Sequence, residues 1–123
     1  MKSLFRLAAV VETGVALALL VDPSSVTWIL LGSELNAPGE VVGRIAGGGL
    51  LSLGVACWRS RNTPSAPASL GVAWGLLAYN IVACVTLAWA GAAMTTGRFP
   101  ALSLSLLHGL FGAALLGALR RQV

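Results

Sequence analysis

Four apolar runs, at about Leu4 to Val21, Gly39 to Trp58, Leu70 to Ala90 and Ala101 to Leu119, take up most of the chain. Each reaches the roughly 20 residues that a helix needs to cross a bilayer. Inside lipid every backbone N–H and C=O must be satisfied within its own segment, so runs of this length become helices. Composition agrees, because 57% of the 123 residues are hydrophobic and only 10% are charged, against roughly 25% charged residues in an ordinary soluble domain. The fold class expected is all-α: a four-transmembrane-helix bundle forming a single integral domain over residues 1–123, with no room for a separate soluble domain.

The net charge of +4 takes its meaning from where the charges fall. If four helices alternate, Lys2, Arg6, Arg59, Arg61, Arg120 and Arg121 lie on one side, and the other side has only Arg98 outside a span. That is the positive-inside pattern, and it places both termini in the cytoplasm. The basic residues flank spans and form no continuous patch, so no nucleic-acid partner is expected. Lys2 and Arg6 before an apolar run resemble a signal peptide, but Glu12 interrupts the run and no small-x-small cleavage site follows before Asp22, so this segment is read as a retained helix. Seven arginines against one lysine, with abundant alanine and glycine, suit a GC-rich bacterial genome, and the expected location is a bacterial inner membrane.

Between the first two spans, DPSSVTWILLGSELNAP carries an apolar stretch, Val26 to Leu31, that is too short to cross. It predicts a short interfacial helix, capped at Ser24 or Ser25 and anchored by Trp28. Small residues mark where helices should approach closely. Gly47, Gly48 and Gly49 follow Arg44, Gly71 and Gly75 have small-xxx-small spacing, and Gly43 and Gly112 complete the expected packing positions.

Each span also holds a strongly polar side chain: Glu12, Arg44, Asn80 and His108, with Tyr79 beside Asn80. A charge at the bilayer centre costs about 2.5 to 3.5 kcal/mol on insertion scales, so such groups turn inward and pair. From the helical rise, Glu12 lies about 13 Å and Arg44 about 7 Å below the outer ends of their spans, a difference that long side chains can close. The expectation is one buried cluster centred on Arg44, with Glu12 or Glu40 as its counter-charge and Asn80 and His108 completing the hydrogen bonds. Its strongest reading is a structural network that sets helix register. Next come a seat for the acidic or carbonyl head of a lipophilic molecule such as a quinone or lipid, and then a proton path through Glu12 and His108.

Catalysis is not expected. There is no Gly-x-Ser-x-Gly elbow and no phosphate-binding glycine loop. One histidine without Cys or carboxylate at chelating spacing argues against a metal site or other cofactor. Cys57 and Cys84 should be more than about 10 Å apart in depth, beyond disulfide reach.

Glu12, the Pro23 connector with Leu30-Leu31-Gly32, the stretch Gly43-Arg44-Ile45-Ala46-Gly47 running to Leu53-Gly54-Val55-Ala56-Cys57-Trp58, Tyr79-Asn80 and His108 together resemble a group of uncharacterised small bacterial four-helix membrane proteins. More loosely, the architecture is similar to DoxX-like membrane proteins. The second resemblance implies a quinone-linked or redox role by analogy of fold. From the residues themselves, the expected function is a non-catalytic accessory or assembly subunit, packed against itself or a larger membrane complex and in contact with membrane lipid. The alternative is a binding protein for a lipophilic small molecule.

Overall fold

A computed structural model describes residues 1–122. The described residues form helices α1 (Lys2–Val21), α2 (Pro23–Leu31), α3 (Ala37–Ser60), α4 (Pro67–Ala93) and α5 (Arg98–Arg120). All except α2 are long and apolar enough to span a membrane, so the chain is built as a multi-pass membrane protein. Each long helix runs a little past its apolar window because polar ends continue it. Asn36 caps α3 by accepting from the Gly39 N–H at 2.9 Å, and Pro67 starts α4 at a position where no helical N–H is needed.

The long helices pair as α1 with α3 and α4 with α5, and the two pairs meet along a thinner seam between α3 and α4. Both termini and the α3–α4 connection share one end, where Ser65 Oγ donates to Gln122 Oε1 at 2.6 Å. Near that end Phe5, Cys57, Ala73, Leu76, Leu77, Leu115 and Leu119 draw all four long helices into one buried core. Outside, Val10, Val42, Ile45, Val82, Val85 and Leu106 are all exposed. In water such a coat would aggregate. Against lipid it is the ordinary surface of a spanning bundle.

The α1–α3 contact is set by glycine. A Cβ on Gly43 would lie 2.6 Å from Pro23 Cβ, one on Gly47 3.0 Å from the Ala16 carbonyl, and one on Gly54 2.5 Å from Thr13 Oγ1. These three positions fall within about 40° of one another around α3, so they form one smooth stripe on which α1 and the start of α2 rest. Gly112 lies against Asn80 Cβ and Leu77 Cδ1, both at 3.7 Å from its would-be Cβ. Gly48, Gly71 and Gly75 make no close contact within this chain: a Cβ there would meet nothing within 4 Å. Spacing identifies a smooth face but not what covers it. Gly54 and Gly91 instead occupy tight contacts that spacing did not single out, the latter against Leu102.

The short helix α2 lies across the other end of the bundle and touches α1, α3 and α5. Its N-cap is Asp22 and not a serine: the carboxylate accepts from the Ser25 N–H at 3.1 Å and from Ser25 Oγ at 2.6 Å, with Pro23 at the first helical position. Ser24 is occupied elsewhere, accepting from the Leu35 N–H at 3.0 Å and so fastening the α2–α3 connector. The Ser25 hydroxyl, with its backbone N–H, holds the Asp22 carboxyl below the usual carboxylate range. Because its folded pKa lies below the unfolded one, this cap stabilises fully above the unfolded value and is lost as pH falls through the folded one. Asp22→Ala should therefore lower the melting temperature at pH 7, and the gap to the parent should narrow steadily as the pH drops below about 4. A gap of constant size down to pH 2 would show that the carboxylate does not cap α2.

Candidate functional site

The expectation of one cluster centred on Arg44 is not met. Arg44 Nη1 pairs with Glu40 Oε2 at 3.1 Å, one turn away on the same helix, and both side chains are well exposed, at 44% and 38%. The cause is helix rotation. The contact stripe of α3 lies at Gly43, Gly47 and Gly54, and at about 100° per residue Arg44 is turned some 80° away from it. On α1 the residues meeting that stripe include Ala9, Thr13, Ala16 and Leu20. Glu12 stands roughly 70° to the side of them, and Arg44 and Glu12 consequently diverge. Between the two partners left open by the sequence, Arg44 pairs with Glu40.

Glu12, Asn80 and His108 do come together. They line a crevice of about 230 Å³ between α1 and α5, backed by α4, with Leu7, Ala8, Val11, Leu104, Leu107 and Phe111 forming its other walls. Leu7, Val11 and Leu107 are exposed, so the crevice opens sideways between the apolar flanks of two spanning helices.

Its polar side is held by hydrogen bonds between α4 and α5. Asn80 Nδ2 donates to the Leu76 carbonyl at 2.8 Å, and Asn80 Oδ1 lies 2.9 Å from His108 Nδ1. An oxygen can only accept, so His108 Nδ1 is the donor. The Tyr79 ring stands edge-on to the imidazole, with centroids 5.6 Å apart and an interplanar angle of 85°. One turn further along, Ser105 Oγ donates to the Cys84 carbonyl at 2.8 Å. His108 is thus fixed by position, tautomer and ring packing.

Glu12 contrasts with this order. It is 6% exposed. The Tyr79 hydroxyl is turned towards its carboxyl, outside strict hydrogen-bond geometry. No basic side chain other than His108 lines the crevice with it. Leaving a buried polar group short of partners costs about 1 to 3 kcal/mol, and more for a charged one. Glu12 is therefore the group whose position most needs an explanation.

Compared with protein-family models, curated proteins and solved structures, the chain matches none of them. Fold alone does not decide function, and the crevice then carries the functional reading. Among the described residues no group of three or more His, Cys, Asp or Glu is placed to hold a metal ion, and Cys57 and Cys84 are both free. The apolar walls were missed in the sequence, although a signal was there. Leu104 and Phe111 lie four residues before and three after His108, and Leu107 is its chain neighbour, as Ala8 lies four residues before Glu12 and Val11 next to it, which puts apolar groups beside each polar one.

Proposed function

We propose that this chain binds a lipophilic small molecule by its polar head in the crevice between α1 and α5. The supporting observation is Glu12: a nearly buried carboxyl short of partners, at the polar side of an apolar crevice that opens towards lipid. A pocket with apolar walls and a few converging polar groups is the usual form of a small-molecule site. The proposed setting is a bacterial inner membrane with both termini cytoplasmic, from the basic residues gathered at the end that carries them.

Protein purified in a mild detergent, extracted into organic solvent and analysed by mass spectrometry should yield one compound in near-stoichiometric amount. Glu12→Gln keeps the side-chain shape and replaces one carboxyl oxygen by an amide nitrogen. It should cut that compound about fivefold, since a typical hydrogen bond contributes about 1 kcal/mol. Parent protein carrying nothing beyond bulk membrane lipid would defeat the proposal.

A second reading, an accessory or assembly subunit, is supported by Gly48, Gly49, Gly71 and Gly75, which have no neighbour within 4 Å of a would-be Cβ. Uncovered small residues on spanning helices suit close approach by another helix. Replacing Gly71 and Gly75 together with leucine should not lower the melting temperature while abolishing self-association or co-purification with a larger complex. An identical elution profile for parent and variant would remove this reading.

A further inference from the structure

The crevice also restricts the head group it can hold. His108 Nδ1 carries a hydrogen, because it bonds to an oxygen of Asn80 whose nitrogen is engaged with the Leu76 carbonyl. In an imidazole with one N–H, the other nitrogen, Nε2, then presents a lone pair. Nε2 has no hydrogen-bond partner among the described residues, and neither has the Glu12 carboxyl by strict geometry. Yet among the described residues no side-chain nitrogen or oxygen is both sealed from solvent and without a partner. Both groups are therefore reachable, and both line the same crevice.

From these observations we infer that the ligand is a hydroxyl-headed lipophile, a long-chain alcohol or alkyl phenol, whose O–H donates to His108 Nε2 beside Glu12. This deepens the ligand-binding reading and rests on it. A ketone, ester or ether head offers lone pairs only, and placed against Nε2 it would leave acceptor facing acceptor. A carboxylate or phosphate head would meet Glu12, and Arg44, paired with Glu40, does not line the crevice to balance it. The acidic or carbonyl head expected when Arg44 was placed in the cluster is thereby replaced. Asn80 is 2% exposed and offers the crevice little. A cavity of about 150 Å³ is enough to hold benzene, against about 230 Å³ here. That accommodates a phenol ring or a hydroxyl with its first few carbons. The rest of the chain leaves between Leu7, Val11 and Leu107 into the bilayer.

The chain has one histidine, so labelling histidine with nitrogen-15 reports on His108 alone. Protein in detergent micelles, first stripped of extractable lipid, is titrated with 4-pentylphenol and separately with its methyl ether, 4-pentylanisole. The phenol should bind saturably and move the Nε2 resonance, while the ether binds at least tenfold more weakly and leaves that resonance in place. Equal binding of phenol and ether with an unmoved Nε2 overturns the hydroxyl inference and leaves a general lipophile crevice standing. Tighter binding of pentylammonium than of the phenol overturns it in favour of a cationic head. Saturation by none of the three compounds overturns the inference and the ligand-binding reading together.

Discussion

Gly97→Ala is expected to destabilise the protein more than any other single methyl addition, by about 3 kcal/mol or more. Two effects combine. Gly97 has φ of +70°, a left-handed conformation that costs an L-residue with a side chain roughly 1 to 2 kcal/mol. Its missing Cβ would also overlap the backbone carbonyl of Leu31, the last residue of α2. A backbone atom at the end of a capped helix cannot move aside as the tip of a flexible side chain can. Gly32, the left-handed C-cap of α2 with φ of +71°, closes the same contact from the other side, where an added Cβ would lie 3.0 Å from Gly97 N. This pair of glycines seats α2 on the α4–α5 connection. Thermal melting in detergent checks it, with Gly71→Ala as the control. Gly71 has open space around it and sits in a helix, so alanine there should be neutral or add up to about 1 kcal/mol. If Gly97→Ala melts no lower than Gly71→Ala, α2 is not held against α5 in this way.

Phe5→Ala should have the next largest effect, about 2 to 3 kcal/mol. Phe5 is fully buried where α1 meets the core formed by Cys57, Leu76 and Leu115. The usual hydrophobic gain does not apply in full, because lipid is as apolar as the core that replaces it. What remains is packing. Removing the ring leaves a void of about 100 Å³, and at about 24 cal/mol per Å³ that loses about 2.4 kcal/mol. Phe99→Ala is the matched control, since that ring is 82% exposed and should contribute little. Reversible unfolding in mixed micelles measures both. Equal losses for the two would mean that the four helices do not share one packed core, and the crevice beside it would lose its supporting wall.

The architecture was legible in the sequence because it follows from a length and a polarity. Twenty apolar residues must cross as a helix, and each of the four windows lies within one long helix. Some of the site was also legible. Glu12, Asn80 and His108 stood out because polar groups in oil need company, and all three line one crevice. Arg44 carried the same signal and is placed elsewhere. The difference lies in Gly43, Gly47 and Gly54, whose bare backbones let α1 rest on one stripe of α3 and thereby turn Arg44 outward to Glu40. Gly48, Gly71 and Gly75 show the same limit from the other side, being small residues at suitable spacing with nothing against them.

By itself, then, the order of residues determined that the chain is helical, that four of its segments can span a membrane, and which side chains would be costly there. These are properties of one segment in its solvent, and each segment carries them alone. Only the tertiary structure decided which costly groups share a space, because that depends on the angle at which each helix is turned about its own axis. Close backbone contact at a few glycines sets that angle, and a turn of 80° separates a buried ion pair from an exposed one.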